Sequence, residues 1–177
     1  MQQAALCNEH SVAGSIKEHP GDFIVEEIPL YEPCGSGEHV YISVRKTNIS
    51  HDSLLNVVAR ALNVSTRAIG YAGRKDLYAT TTQLLSVHFP GVDVELLNDI
   101  GNVELLWQSK HTNKLRRGHL LGNRFKIRIR GVDTADVGFI QERMERLSRE
   151  GIPNSFGPQR FGNHKNNHHL GKALLKE

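Results

Sequence analysis

At 177 residues the chain has room for one full domain or for part of a two-domain protein. Its 38% hydrophobic and 23% charged residues, with 16 Gly and 6 Pro, exclude a disordered tail, a collagen-like array and a coiled coil. The net charge of +3 hides an asymmetry: eight Lys and Arg lie between Lys110 and Arg130, with no Asp or Glu from Leu105 to Val132, whereas the remainder holds 14 basic against 19 acidic residues. Such a block points to a polyanionic partner or, more blandly, to a solvated face.

In chain order, Phe23 to Ile28 and Val40 to Arg45 alternate apolar and polar residues and predict two strands. Pro33, Gly35 and Gly37 lie between them, so a hairpin is the simplest arrangement. Leu54, Val58, Ala61 and Leu62 then recur at helical spacing, predicting a helix over 50–63 with Asn48, Ser50 or Asp52 available as its cap. Strands follow over 69–73, over 83–89 through Leu85, Val87 and Phe89, and over 102–108 through Val103, Leu105 and Trp107. The cleanest alternation is 124–130, where Phe125, Ile127 and Ile129 face one way and Arg124, Lys126, Arg128 and Arg130 the other. Val137, Ile140, Met144 and Leu147 predict a second helix behind Asp133 or Thr134, stopped by Gly151 and Pro153. Strands outnumber helices without alternating with them, so the expected fold is α+β, a mixed, mostly antiparallel sheet flanked by helices.

No apolar run approaches the ~20 residues of a bilayer span, and the N-terminus lacks a charged-then-apolar leader. Cys7 and Cys34 have no CxxC spacing, which excludes a disulfide framework and a four-thiolate zinc site. The chain therefore reads as soluble and cytoplasmic. His164, His168 and His169 have no carboxylate or thiolate nearby, so the expectation is a solvated polar tail and no metal.

Chemistry concentrates in Tyr71 to Gln83, where a Gly, two cations, one carboxylate and several hydroxyls lie between two strands. Asp76, flanked by Arg74 and Lys75, sits in a cationic setting that suits a nucleophile better than a proton donor. By spacing alone, a polar turn built on an Asx-type Asp is the favoured reading.

Four stretches, in order, resemble the TruD family of pseudouridine synthases. They are Ser15 to Glu27, with Lys17, Pro20, Asp22, Phe23, Val25 and Glu27; Ala72 to Gln83, which matches Ala-Gly-x-Lys-Asp-x-x-Ala-x-Thr-x-Gln throughout; Gly122-Asn123-Arg124-Phe125; and Gly151 to Gly162. The resemblance implies part of a pseudouridine synthase catalytic domain that isomerises uridine in tRNA, at uridine 13, with no metal or nucleotide cofactor. It makes Asp76 the essential aspartate, acting as a nucleophile or by assisting an elimination. Lys17 would supply positive charge beside it and Asn123 would position it by hydrogen bonding. Phe125 would stack on the flipped-out base, although a core Phe continuing the Ile127 face also fits. The basic block, Arg128 and Arg130 included, would contact tRNA phosphates. No required protein partner or membrane contact is implied.

Ser155 departs from the family pattern, which has an aromatic there. Family members are also longer, with an inserted domain followed by a returning segment that brings a further active-site Phe. The expected organisation is thus the N-terminal part of a catalytic domain over 1–162 and a polar segment over 163–177 that begins further structure. A noncatalytic RNA-binding fragment is the alternative reading. A carboxylate-dependent nucleoside hydrolase is a third, and it lacks the acidic cluster expected of calcium-assisted sites.

Overall fold

The sheet is organised around its most apolar strand. In Thr80–His88 nearly every side chain is buried on both faces, so this strand must lie in the middle. The computed structural model describes residues 11–88, 91, 94–152 and 166–175. In chain order the strands are β1 (Ser15–Ile16), β2 (Phe23–Pro29), β3 (His39–Thr47), β4 (Ile69–Tyr71), β5 (Thr80–His88), β6 (Val103–His111), β7 (Leu120–Ile127) and β8 (Ile129–Arg130). The helices are α1 (His51–Ala61), α2 (Val137–Glu150) and α3 (Asn167–Leu174).

The chain forms two compact units, 1–132 and 133–177. The first holds a six-stranded sheet in the order β6-β3-β5-β2-β7, with β4 also on β5, and a two-stranded pair of β1 and β8. Only β2 and β5 run parallel, so the expected mixed, mostly antiparallel α+β architecture is the observed one. One edge of β5 is taken wholly by β3; the other is shared, β2 pairing with Thr80 to Thr82 and β4 with Leu85 to Val87.

Helix α1 begins where expected. The Ser50 hydroxyl accepts the Ser53 N–H at 3.0 Å, Asp52 lies in the first turn and Arg60 in the last, as the helix dipole favours. Its buried stripe of Leu54, Val58, Ala59 and Leu62 packs on Val40, Ile42 and Val44 of β3 and on Leu85 and Val87 of β5. Fully burying Leu54 and Val58 contributes about 1.5–3 kcal/mol each.

Three local expectations are corrected. The hairpin does not form: β2 and β3 lie on opposite edges of β5, because the doubly buried β5 needs a partner on each side. The alternation in β6 slips at a bulge, so Leu105 pairs with Val44 but Trp107 pairs with Ser43 and lies on the opposite face from Leu105. The basic strand also divides. Arg128 donates its backbone N–H to the Asp22 carbonyl at 2.8 Å, β7 ends at Ile127, and Arg130 joins β8, so the four cations do not share one strand face.

In the second unit, the Asp133 carboxylate accepts the Ala135 N–H at 2.9 Å in the turn that leads into α2. Gly151, at φ 82°, ends that helix and returns its N–H to the Leu147 carbonyl at 2.8 Å. Residues 153–165, which carry most of the fourth family-like stretch and His164, lie outside the described residues.

Candidate active site

Four separate segments bring side chains to one place on the sheet face that carries α1. On β7, Phe125 lies directly opposite Val25, and Asn123 opposite Glu27, so both share a face with Phe23, Val25 and Glu27. Phe23 and Phe125 meet edge to face, ring centroids 6.0 Å apart at 63°. Phe125 keeps 56% of its surface exposed, so it is not a core residue; part of its ring is free to stack. Lys17 follows β1 in the left-handed backbone region at φ 61°, an uncommon conformation for a residue with a Cβ. From there its ammonium lies 3.9 Å from the Phe23 ring centroid and donates to the Asp76 carboxylate at 2.8 Å. Contact thus runs unbroken from Asp76 through Lys17 and Phe23 to Phe125.

The partners of Asp76 differ from those its neighbours in sequence suggest. Arg74 pairs with Asp52 at 2.6 Å, and Lys75 with Glu27 at 2.7 Å, so the cation on Asp76 comes from Lys17, 59 residues away. The Lys75–Glu27 pair is buried, with side chains 5% and 2% exposed. Lys75 also donates to the Asn123 side-chain oxygen at 2.5 Å, so Asn123 is bonded to the residue before Asp76 rather than to Asp76. Glu27 further accepts the Leu84 N–H at 3.1 Å, close to where the shared edge of β5 passes from β2 to β4.

Beneath Asp76 lies a lysine that sequence reasoning missed. Lys46 is fully buried, and its ammonium donates to the carbonyls of Ile49 and Asp76, both at 2.7 Å. Burial pushes its pKa down to about 8, partly countered by the negative charge of Asp76. A signal was present: Val40, Ile42, Val44 and Lys46 share one strand parity, so the lysine stands in the apolar phase of β3.

Arg128 and Arg130 both meet Asp22. Arg130 holds the buried Asp22 carboxylate through two bonds, at 2.7 and 2.8 Å, and that pairing holds the Asp22 carboxyl down at about 2. Arg128 lies 3.8 Å from the same carboxylate, its side chain largely exposed. Arg124 and Lys126 pair with Glu26 and Ile24, which places them on the sheet face away from Phe125. Among the described residues, no group of three His, Cys, Asp or Glu could hold a metal ion, and no helix is long and apolar enough to cross a membrane.

A carboxylate half open to solvent, a cation on it and an exposed aromatic two contacts further on form a surface that can take a planar base and attack or deprotonate it. The family model for tRNA pseudouridine synthase D, TruD, matches residues 3–177. The chain belongs to the TruD family. It is 43% identical over 166 residues to the tRNA pseudouridine synthase D of Syntrophotalea carbinolica, covering 94% of this chain and 42% of that one. With the Geobacter metallireducens enzyme of the same name it shares 44% over 162 residues, covering 92% and 40%. A solved Methanosarcina mazei structure carrying the TruD description superposes with a TM-score of 0.80 at 27% identity, covering 96% of this chain and 40% of that one. The chain therefore spans about two fifths of the length of the TruD relatives it matches, and that stretch includes Lys17, Phe23, Asp76, Asn123 and Phe125.

Proposed function

We propose that this chain carries the aspartate-bearing part of a cytoplasmic tRNA pseudouridine synthase, with Asp76 as the catalytic carboxylate and uridine 13 as its target. The observation that carries this reading is the contact path from Asp76 through Lys17 at 2.8 Å to Phe23 and on to the exposed Phe125. The reaction is an isomerisation. The bond from ribose C1′ to N1 breaks, the base turns, C1′ joins C5, and the proton lost from C5 is balanced by one gained at N1, so no oxidant or reductant is consumed. Asp76 acts on the ribose or base as nucleophile, or assists an elimination. Lys17 holds the carboxylate in place. Phe125 receives the flipped-out uracil on its open side, where stacking offsets part of the cost of extruding it. Asn123, fixed by Lys75, presents its amide toward the base.

The test uses the chain joined to the segment that lies beyond the match in the Geobacter metallireducens relative. Incubated with unmodified tRNA, the wild type forms pseudouridine at position 13, and Asp76→Asn lowers turnover by about three orders of magnitude or more while tRNA binding persists. Equal turnover by the two proteins would remove Asp76 from the chemistry. A wild type that binds tRNA without modifying it would leave the noncatalytic RNA-binding reading in its place.

A further inference from the structure

We propose that Lys46 is a positioning residue for the Asp76 site, holding the Asp76 main chain from its buried place at the end of β3 so that its carboxylate is presented to Lys17. The inference rests on the reading of Asp76 as the catalytic carboxylate. Its basis is a buried ammonium whose hydrogen bonds go to two backbone carbonyls. Ile49 lies in the connection from β3 to α1 and Asp76 in the connection from β4 to β5, and Lys46 donates to both at 2.7 Å. Both connections leave the sheet at the same end, where Thr47 pairs with Thr80, so one side chain clamps them together.

The other ties on the Asp76 connection act elsewhere. Asn48 donates its N–H to the Ala79 carbonyl at 3.2 Å, Arg74 makes an exposed pair with Asp52, and Lys75 reaches Glu27 and Asn123. Exposed pairs such as Arg74–Asp52 hold a loop weakly. Among the described residues, only Lys46 bonds the main chain of Asp76 through a side chain, while Lys17 bonds its carboxylate.

Packing alone does not account for this residue. Lys46 pairs across the sheet with Thr81 and Val103, and Val44 and Ile42 precede it on the same face. A methionine would fill the same stem volume without burying a charge. What methionine cannot do is bond two carbonyls at once. A lysine kept in this phase of β3 therefore serves the geometry of the connection it holds.

Lys46→Met tests this in two measurements. Turnover of tRNA by the joined protein falls tenfold to about a hundredfold in kcat, with KM little changed, as expected when a reacting group is misplaced but the binding surface remains. Amide hydrogen exchange on the 177-residue chain shows residues 72–79 opening about tenfold faster or more, while β3, β5 and α1 keep their protection. The exchange measurement needs no turnover, so an inactive wild type would refute the Asp76 reading and leave this local effect to be read separately. Unchanged exchange over 72–79, an unchanged kcat, or a uniform rise in exchange across the unit would each overturn the positioning role. If Lys46→Met does not fold, Lys46→Gln, which keeps a single shorter donor arm, is put through the same two measurements, and the same outcomes support or overturn the role.

Discussion

Asp22 is buried just before β2, where it accepts the His19 N–H at 3.0 Å and both bonds from Arg130. Its carboxyl is held down at about 2, against an ordinary 3.8, so its contribution to stability is complete above pH 3.8 and is lost as pH falls through about 2. His51, buried at the start of α1 against the Tyr71 ring at 4.4 Å, is pushed down to about 4, chiefly by burial. It stays neutral in the fold where the unfolded chain would charge, so stability falls as pH drops from 6.5 through about 4. Thermal melts against pH should therefore show two acid-side losses. His51→Phe should remove the upper one, worth no more than about 3.5 kcal/mol from one pKa unit being about 1.4, and Asp22→Asn the lower. Melting curves of His51→Phe parallel to wild type between pH 7 and 4 would contradict the assignment. The site residues mark the limit of legibility. Asp76, Lys17 and Phe125 were readable because each stands in a local motif. The pairing of Asp76 with Lys17 came from the family resemblance and not from the local spacing, which offered Arg74 and Lys75, since consecutive residues of a connection point in different directions and only the folded sheet decides what each one meets.

Element placement was legible wherever period and cap agreed, as in α1, and lost wherever pairing across the sheet decided it. The β6 bulge that turns Trp107 over leaves no mark in a run that still reads apolar-polar-apolar. Separation of β2 from β3 follows from the burial of β5 on both faces, a property of Leu84, Leu85, Ser86 and Val87 together. Glu27 and Lys75 sit close to the hand-over from β2 to β4, and the buried pair joins three elements by meeting Leu84 of β5 and Asn123 of β7. Removing one partner leaves the other charge buried alone. Glu27→Leu should cost about 3–5 kcal/mol in urea unfolding, whereas Glu27→Leu with Lys75→Met should recover most of that loss. Equal losses in the single and double variants would mean that the pair is not coupled. In the double variant Asn123 loses the partner that fixes its amide, so tRNA turnover should fall further than stability alone accounts for.

At the scale of the whole chain the charge asymmetry persists but is not gathered on one strand face. Of the cations between Lys110 and Arg130, Arg130 is held by Asp22, Arg117 donates to the Tyr71 hydroxyl at 2.8 Å, and Lys114 donates to the Arg67 carbonyl. Lys110, Arg116 and Arg128 are exposed as well, and on the edge strand β7 stand the exposed Arg124 and Lys126, with Arg124 only 3.4 Å from a half-exposed Glu26. The β7 pair faces away from Phe125, so an RNA strand whose base sits on Phe125 would meet them by passing around the β7 edge. On the proposed function they would contribute sequence-independent affinity, not base recognition. Replacing Arg124 and Lys126 together with Gln should weaken tRNA binding and flatten its dependence on salt by about 0.7–0.9 in logarithmic slope for each phosphate no longer neutralised. Arg130→Gln should leave that slope nearly unchanged and instead destabilise the fold, because it strips the buried Asp22 of its partner. A slope altered by Arg130→Gln and untouched by the β7 pair would reverse the assignment and move the phosphate track to the β1–β8 side.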